Sequence, residues 1–334
     1  MRASTRLWKI ADAAALKSLE VSEPLPRFDA ECLRGHATDA HWVMVDAEEK
    51  VIGRCSLWWR STPTLPGHRL GLVGHYASAD PSTGSQLLEL VCRELRDHGC
   101  TLAVGPMDGS TWRNYRFVTG SRGDPPFFLE PVNPRSWPAE FEEKGFRPMA
   151  TYSSSIDERM EEEDGPSLRA AARMADLGVK VHHLNMDRFE EELRSIHPLI
   201  TTSFQNAFLY QPITESAFVA QYQGIRPYVQ PSLAFIATHA NRPVGFIFTV
   251  PDSSPASAGR PGAPTAVIKT LAVLPGRQYA GLGVHLTAVS RRAARDLGFR
   301  RLIHALMQDS NSSRCIRSGY TSPLRRYTLF ARPL

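Results

Sequence analysis

The sequence predicts a mixed α/β protein of two similar halves, each a mixed, mostly antiparallel twisted sheet flanked by helices. The chain has 334 residues, about the length of two ordinary domains. The predicted order of strands and helices in residues 1–158 recurs in residues 179–334. Strands that alternate with helices in this way form sheets whose faces are covered by helices.

A weak internal repeat supports the two halves. The predicted hairpin at 41–57 aligns without a gap with the hairpin that begins at 233, which places Gly53 on Gly245. Further along, the predicted helix at 86–98 aligns with residues 285–297 at an offset larger by seven. The extra residues belong to a Pro/Gly/Ser-rich loop in the second half. A repeat whose two copies each occupy about half of the chain indicates a domain duplication.

An acidic segment that contains Gly and Pro, residues 157–166, marks the predicted boundary. We therefore predict a first domain at 1–158, a linker with a helix at 159–178, and a second domain at 179–334.

The composition excludes several classes of protein. With 42% hydrophobic and 22% charged residues, the chain is neither disordered nor fibrous. No apolar run approaches the ~18 residues that a membrane span needs. The charged N-terminus disfavours a signal peptide. The five cysteines are odd in number and lack C-x-x-C spacing, so we expect reduced thiols, no structural metal and a cytoplasmic location.

The charge is uneven along the chain. Residues 271–334 hold eleven arginines, no lysine and two aspartates, which makes this segment +9 and the remainder −4. Such a segment indicates a polyanionic partner, either nucleotide phosphates or nucleic acid. A solvated helix surface is the alternative interpretation.

The stretch 267–286 contains the most informative motif. An apolar strand ends at Pro275, and a loop with Gly281 and Gly283 leads into a helix. Glycines allow the backbone to approach a ligand, and the unpaired amides at a helix N-terminus bind anions. Arg277 adds a positive charge beside them. A Rossmann motif is excluded because Leu286 stands where its third glycine belongs, and no Walker A Gly-Lys-Ser/Thr is present.

These residues resemble the signature of the GNAT acyltransferase superfamily, Leu-x-Val-x-Pro followed by Gln/Arg-x-x-Gly-x-Gly/Ala. Here the strand reads Leu271-Ala-Val273-x-Pro275 and the loop reads Gln278-x-x-Gly281-x-Gly283. The resemblance covers about residues 179–334. It implies two tandem GNAT-like domains, the second transferring an acyl group, most often acetyl, from acyl-CoA as co-substrate to the primary amine of a small molecule.

The resemblance also implies which residues hold coenzyme A. In that family the strand before the loop contacts the pantetheine arm where two parallel strands separate, and the loop amides hold the pyrophosphate. The coenzyme residues implied here are Leu271, Ala272, Val273, Arg277, Gln278, Tyr279, Ala280, Gly281, Leu282, Gly283, Val284 and Asn311.

The first half lacks this loop. Ala79 and Ser82 replace the glutamine and the first glycine, only Gly84 remains, and Asp80 places a negative charge where a phosphate would bind. We therefore predict that residues 1–158 are a degenerate copy that has lost coenzyme binding. Its expected role is to support the second domain and to form a wall of the acceptor pocket.

Transfer of an acyl group to an amine needs a base, an N–H group for the oxyanion and an acid for the leaving thiolate. The carboxylate that many family members use is replaced by Lys269 and Thr270. We predict His304 as the base, with Asp309 as a weaker candidate. Tyr320 is the candidate acid, and Cys315 is either an acyl-carrying nucleophile or a structural thiol.

Two segments rich in aromatic and polar residues are candidates for binding the acceptor. The first spans residues 105–116 and continues at 125–134, and the second spans residues 203–212. The residues predicted from them are Trp112, Arg113, Tyr115, Asn206 and Tyr210.

Two other functions stay open at this point. One is acyl transfer from aminoacyl-tRNA or an acyl carrier protein, which the +9 segment would suit. The other is a non-catalytic acyl-CoA-binding module, which the missing carboxylate would suit.

Overall fold

The computed structural model describes residues 5–161, 165–254, 263–309 and 321–334. The first half follows the predicted order of strands and helices. Its elements are β1 (Arg6–Lys9), α1 (Ala13–Lys17), α2 (Cys32–Gly35), β2 (Ala40–Val45), β3 (Val51–Trp58), β4 (Leu70–Ser78), α3 (Pro81–Asp97), β5 (Leu102–Gly105), β6 (Phe117–Ser121), α4 (Ser136–Glu143) and β7 (Arg147–Asp157).

Helix α5 leads into the second half, which repeats much of this order. Its elements are α5 (Gly165–Asp176), β8 (Lys180–His183), α6 (Phe189–Phe204), α7 (Glu215–Ile225), β9 (Ala234–His239), β10 (Arg242–Pro251), β11 (Thr265–Val273), α8 (Leu282–Asp296), β12 (Arg301–Gln308) and β13 (Thr321–Pro333).

Residues with positive φ explain two of the local turns. The β9–β10 hairpin closes through Ala240 and Asn241, whose φ angles are +49° and +60°. Two consecutive residues of this kind form the type I′ turn that matches the twist of the flanking strands. Helix α8 begins after Gly281, whose φ of +95° is accessible to glycine at little cost.

All of the described strands belong to one thirteen-stranded sheet. Its order is β1-β2-β3-β4-β5-β13-β7-β12-β11-β10-β9-β8, and β6 pairs with β13 outside this path. The pairs β4–β5 and β11–β12 are parallel, and the other pairs are antiparallel. The predicted fold class, two tandem α/β units with mixed, mostly antiparallel sheets, is confirmed.

The two halves exchange their last strands. β7 ends the first half, yet it pairs with β12 of the second half. β13 ends the chain, yet it pairs with β5 of the first half. β7 and β13 also pair with each other, from Thr321 opposite Asp157 to Ala331 opposite Arg147. Each half of the sheet therefore includes a strand from the other half of the sequence, so neither 1–158 nor 179–334 contains all the strands of its part of the sheet.

Helices cover both faces of the second-half sheet. On one face, Ile196 of α6 and Phe218 of α7 belong to an apolar cluster with Phe246 of β10. On the opposite face, α5 and α8 pack together, and Leu286 of α8 lies in a cluster with Ile268 of β11. Within the described ranges, no helix combines the length and apolar character that crossing a bilayer requires.

Ion pairs between the halves neutralise much of the charge of the arginine-rich segment. Of its nine described arginines, five form ion pairs with carboxylates of residues 1–161, and Arg295 pairs with Asp296. The pairs between the halves are Arg291–Asp157, Arg300–Glu161, Arg301–Asp124, Arg301–Glu158, Arg325–Glu130 and Arg332–Glu89. The charge that suggested a polyanionic partner is thus largely compensated inside the molecule.

The exchanged strands predict that the halves do not fold separately. A fragment of residues 1–161 leaves β5 without β13 and β7 without both of its neighbours, and unpaired strand edges aggregate. We expect this fragment and residues 165–334 to be insoluble or unfolded when expressed singly, and to form a 1:1 complex when co-expressed. Size-exclusion chromatography and circular dichroism measure this. A soluble 1–161 monomer with a cooperative melting transition would contradict the prediction.

Candidate functional site

The two parallel strands of the second half separate at one end. β11 and β12 pair over Thr265–Ile268 and Arg301–His304. Beyond this point β11 remains paired with β10, and β12 with β7. We call the gap between residues 269–273 and residues 305–308 the fork. A separated parallel pair at this place is what the family resemblance implied.

The main chain of β11 alternates between β10 and the fork. The N–H of Leu274 donates to β10 at 2.9 Å, so Ala272, two residues earlier, also faces β10. Leu271 and Val273 therefore face the fork. Ser203 of α6 accepts a hydrogen bond from the Val273 N–H at 3.1 Å. Of the three predicted strand contacts, Leu271 and the Val273 carbonyl are directed toward the fork, and Ala272 is not.

The loop between β11 and α8 leaves the helix N-terminus accessible. Residues 277–279 form a single 3₁₀ turn, and no described side chain caps the first amides of α8. These N–H groups lack partners within the helix, and the helix dipole makes them attractive to an anion. Arg277 is exposed beside them, and Nη2 of Arg173 in α5 donates to the Arg277 carbonyl at 2.7 Å. Two guanidinium groups thus lie near this terminus.

The side chains of the predicted loop residues divide into two groups. Tyr279 and Leu282 are buried in the core beneath the loop, and the Tyr279 hydroxyl lies 3.1 Å from Nδ1 of His239. These two residues anchor the loop, so it offers a ligand mainly its backbone. The other predicted loop residues are exposed or partly exposed, namely Arg277, Gln278, Ala280, Gly281, Gly283 and Val284.

The corresponding helix N-terminus in the first half is occupied by its own side chain. Oδ1 of Asp80 accepts hydrogen bonds from the amides of Ser82 and Thr83 at 2.8 and 3.0 Å. Oδ2 of Asp80 accepts from the Thr83 hydroxyl at 2.7 Å. The carboxylate takes the place of an anionic ligand and repels a second negative charge.

The fork of the first half is also filled. β4 and β5 separate as β11 and β12 do, but the chain after β5 turns back into the gap. The N–H of Met107 donates to the Val73 carbonyl at 2.8 Å, and Asp108 accepts from the His75 amide at 2.6 Å. Gly74 permits this approach, because a Cβ at that position would lie 2.2 Å from the Met107 carbonyl oxygen.

A lysine occupies the start of the second-half fork. A register shift in β11 places Lys269 and Thr270 toward the face that carries α7. Nζ of Lys269 donates to the Leu129 carbonyl at 3.2 Å, and the Thr270 hydroxyl lies 3.1 Å from that of Tyr222. Burial, together with the nearby positive charge of Arg116, lowers the pKa of Lys269 to about 8. A lysine with such a pKa exchanges protons near neutral pH.

Arg116 connects the first half to the fork. Its guanidinium lies 3.7 Å from the ring centre of Tyr115 and 4.2 Å from that of Tyr152. Nη1 of Arg116 donates to the Leu306 carbonyl in β12 at 3.2 Å. Ser154 accepts from the Leu306 amide at 2.9 Å. Side chains therefore hold the β12 edge of the fork, and the predicted acceptor residue Tyr115 packs against one of them.

His304 and Asp309 lie on β12 and just after it. His304 is 6% exposed, and it stands two residues after Leu302 on the face of the sheet that α8 covers. It thus lies across the sheet from Lys269. Asp309 accepts a hydrogen bond from the Ser153 hydroxyl at 2.8 Å. The predicted residues Asn311, Cys315 and Tyr320 fall outside the described ranges.

Three of the predicted acceptor residues come together between the halves. Trp112 donates through Nε1 to the Gln211 carbonyl at 2.9 Å, and its ring lies 6.0 Å from that of Tyr210. Asn206 and Tyr210 line a cavity of about 390 Å³ between residues 62–64 and 205–212.

Arg113 is directed elsewhere. Its guanidinium donates to the carbonyls of Gly35, His36 and Asp108, all in the first half. The structure therefore does not bring Arg113 to the cavity that Asn206 and Tyr210 line.

Sequence patterns missed several parts of this site. In the sequence Lys269 replaces the usual carboxylate, and a lysine within an apolar strand indicates an unusual environment. Arg116 and Ser203 carried no signal, because their partners are distant in sequence.

No group of His, Cys, Asp or Glu in the described part of the chain could hold a metal ion.

Comparison with known proteins places the fold. No family model matches the chain. Protein YghO of Escherichia coli is 20% identical over 322 residues, which is 88% of this chain and 82% of that protein. A GCN5-related N-acetyltransferase from Anabaena variabilis has a TM-score of 0.57 at 10% identity, over 98% of this chain and 73% of that one. A tandem GNAT protein from the clavulanic acid biosynthesis pathway has a TM-score of 0.52 at 12% identity, over 99% and 98%. The chain therefore has the tandem GNAT fold.

The capping role of Asp80 predicts a stability effect confined to the first half. Asp80→Ala leaves two amides of α3 without partners, so we expect a loss of about 1 kcal/mol in the free energy of unfolding. Asp97→Ala, at the C-terminal end of the same helix, is the control and should not be destabilising, since Asp97 makes no such cap. Urea denaturation measures both. Equal stability of the two variants would contradict the capping role.

Proposed function

We propose that the second half is a coenzyme A-dependent N-acyltransferase. It transfers an acyl group, most commonly acetyl, from acyl-CoA to the primary amine of a small molecule. One observation carries this proposal. Among the described residues, no side chain caps the N-terminus of α8 and the Leu271 main chain faces the fork, whereas Asp80 and the Met107–Asp108 turn fill both places in the first half. Residues 310–320, which follow β12, lie outside the described ranges. The fold alone would not suffice, because one fold hosts many functions.

The proposed coenzyme site uses mainly backbone groups. The amides of residues 281–284 would bind the pyrophosphate, with Arg277 supplying a further positive charge. The pantetheine arm would lie along Leu271 and Val273 in the fork. Asn311 would lie near the coenzyme arm. A helix N-terminus without a competing carboxylate suits such a ligand.

The reaction consists of one substitution at the thioester carbon. The amine nitrogen attacks this carbon, the carbon–sulfur bond breaks, the amine loses a proton and the thiolate gains one. A backbone N–H of the fork would stabilise the oxyanion. Neutral Lys269 and His304 are the two candidates for the base, from opposite faces of the sheet. Asp309 is a third, weaker candidate, and Tyr320 and Cys315 remain the proposed groups for the thiolate side.

The acceptor would approach from the face that carries α6 and α7. Trp112, Asn206 and Tyr210 would form its pocket, with the first half as one wall. The cavity beside Asn206 and Tyr210 supports this assignment. The aromatic contact between Trp112 and Tyr210 shows that segments of both halves reach the same place.

Acyl transfer from aminoacyl-tRNA or a carrier protein is the weaker alternative. Its support was the +9 segment, and five of the nine described arginines of that segment form ion pairs with carboxylates outside it. A non-catalytic acyl-CoA-binding module would bind acetyl-CoA without releasing free thiol in the presence of amines.

Substitution at Gly281 tests the assignment of the coenzyme to the second half. Gly281→Asp places a carboxylate at the proposed phosphate site, so we expect acetyl-CoA binding to be lost in isothermal titration calorimetry. Gly281→Ala introduces the same backbone strain at a φ of +95° without the charge, and its Cβ meets Ala170 at 3.5 Å, an ordinary contact. It should retain most of the binding.

Ser82→Asp is the matched variant in the first half and should bind acetyl-CoA like the unmodified protein. Thermal melts of all three variants verify folding. Equal loss of binding in Ser82→Asp and Gly281→Asp would overturn the assignment.

The pH dependence of turnover distinguishes the two bases. If neutral Lys269 accepts the proton, kcat/KM rises with pH and levels off above about 8, the pKa of this lysine. Lys269→Met should then remove this rise and lower turnover by roughly 10²-fold or more while coenzyme affinity persists. An arylamine acceptor is suitable, because it stays neutral throughout this range.

His304→Ala is the companion variant. If His304 is the base, its loss reduces turnover and spares coenzyme affinity, and Lys269→Met keeps the pH profile of the unmodified protein. Unchanged turnover in His304→Ala would remove His304 from the mechanism.

A further inference from the structure

A chain of hydrogen-bonded histidines lies in the first half, away from the proposed coenzyme site. Nδ1 of His36 is 2.8 Å from Nε2 of His75, and Nδ1 of His75 is 2.8 Å from the Ser56 hydroxyl. That hydroxyl is 2.7 Å from Nδ1 of His41. With Arg54 they form the group that we call the Arg54 cluster. It is built on β2, β3, β4 and the end of α2.

Arg54 is buried without a counter-ion in contact. Its side chain leaves β3 on the same face as Ser56, and the residue is 5% exposed. Nε and Nη1 of Arg54 have no hydrogen-bond partner in the described part of the chain. Asp108 is near enough to influence the guanidinium, but its carboxylate accepts from the His75 amide and forms no ion pair with Arg54 among the described residues. Burial of a charged group in this way is costly unless a partner arrives.

The histidines of the cluster carry no charge that would compete with Arg54. Burial is the first cause that lowers the pKa of each, to about 4 for His36, about 3 for His41 and about 2 for His75. The pKa of Arg54 is lowered only to about 10, so it keeps its positive charge at neutral pH. The cluster is therefore a buried cation beside neutral histidines, and Asp29, Asp108 and Arg113 supply the other charges that act on it.

The hydrogen-bond chain can present one further donor beside this cation. If His36 donates to His75, His75 to Ser56 and Ser56 to His41, then Nε2 of His41 carries a hydrogen. This Nε2 has no partner among the described residues, and His41 is 1% exposed. Unpartnered donors on Arg54 and His41 together suit an oxygen-bearing anion.

Phe28 covers the cluster. Its ring stacks on His41 at 5.4 Å and lies 5.2 Å from the Arg54 guanidinium. Phe28 is only partly buried and belongs to the segment between α1 and α2, so it separates the cluster from solvent without a helix or strand to hold it.

We propose that the Arg54 cluster binds a small oxyanion, a carboxylate or a phosphate, through Arg54 and Nε2 of His41 beneath Phe28. This site is separate from the proposed coenzyme site, because its residues lie on β2, β3, β4 and the end of α2, and the proposed coenzyme residues lie on β11, the following loop and α8. The degenerate half thus retains a ligand site of its own.

Thermal stability of the full chain tests the proposal. Without added anion, Arg54→Met should melt at or above the temperature of the unmodified protein, because it removes an unpaired buried charge. Sodium acetate or sodium phosphate should raise the melting temperature of the unmodified protein in a saturable way, beyond sodium chloride at equal ionic strength. Arg54→Met should not respond. Arg326→Met, which removes an exposed arginine of β13, should respond like the unmodified protein.

Calorimetry on the Gly281→Asp chain provides a second measurement that needs no Arg54 variant and excludes the loop of α8. One acetate or phosphate per chain should bind, roughly tenfold or more weakly when Arg54→Met is added. Binding of acetate alone would identify a carboxylate ligand, and binding of phosphate alone a phosphorylated one. No binding of either anion to this chain, or an unchanged affinity after Arg54→Met, would overturn the proposal.

Discussion

The separation of two parallel strands is the constraint on which the rest of the molecule depends. When β11 parts from β12, peptide groups that would have bonded across the pair lose their partners, and buried peptide groups need partners. The two halves satisfy this need in different ways. In the first half Met107 and Asp108 supply the partners from within the chain. In the second half Ser203 satisfies one amide, and the Leu271 main chain remains directed toward the gap.

The same contrast appears at the helix that follows each parallel strand. Asp80 satisfies the first amides of α3, whereas a left-handed glycine opens α8 and offers no side chain. A carboxylate in one copy and a glycine in the other give these two termini opposite electrostatic character. On the same order of strands and helices, the first half thus closes its helix N-terminus with a carboxylate, and no described side chain does so in the second.

Much of this organisation follows from local sequence. The paired hairpins, the helix after Pro275 and the loss of the glycine loop near Ser82 are features of short segments, and short segments carry their own periodicity and turn residues. The exchange of β7 and β13 was not predictable, because strand partners distant in sequence leave no periodic pattern. The ion-pair partners of the arginines were not predictable for the same reason. Arg291 and Arg325 find their carboxylates on β7 and in the loop before α4, far away along the chain.

The site was predictable to the extent that it is made of backbone. A glycine such as Gly281 can be recognised in the sequence as a residue suited to a positive φ angle. The neighbours of a side chain cannot be recognised from the sequence in this way. Arg113 bonds to carbonyls of its own half, and the unusual surroundings of Lys269 arise from a residue more than a hundred positions earlier.

The position of β13 also bears on how the chain is made. The sheet of the first half is complete only when β13, which is synthesised long after β5, inserts beside it. Until then the part of the nascent chain that has emerged from the ribosome has an unpaired sheet edge, and such edges can pair with wrong partners. The first half therefore cannot complete its sheet before β13 has been made, and we expect chaperones to protect the open edge during that interval.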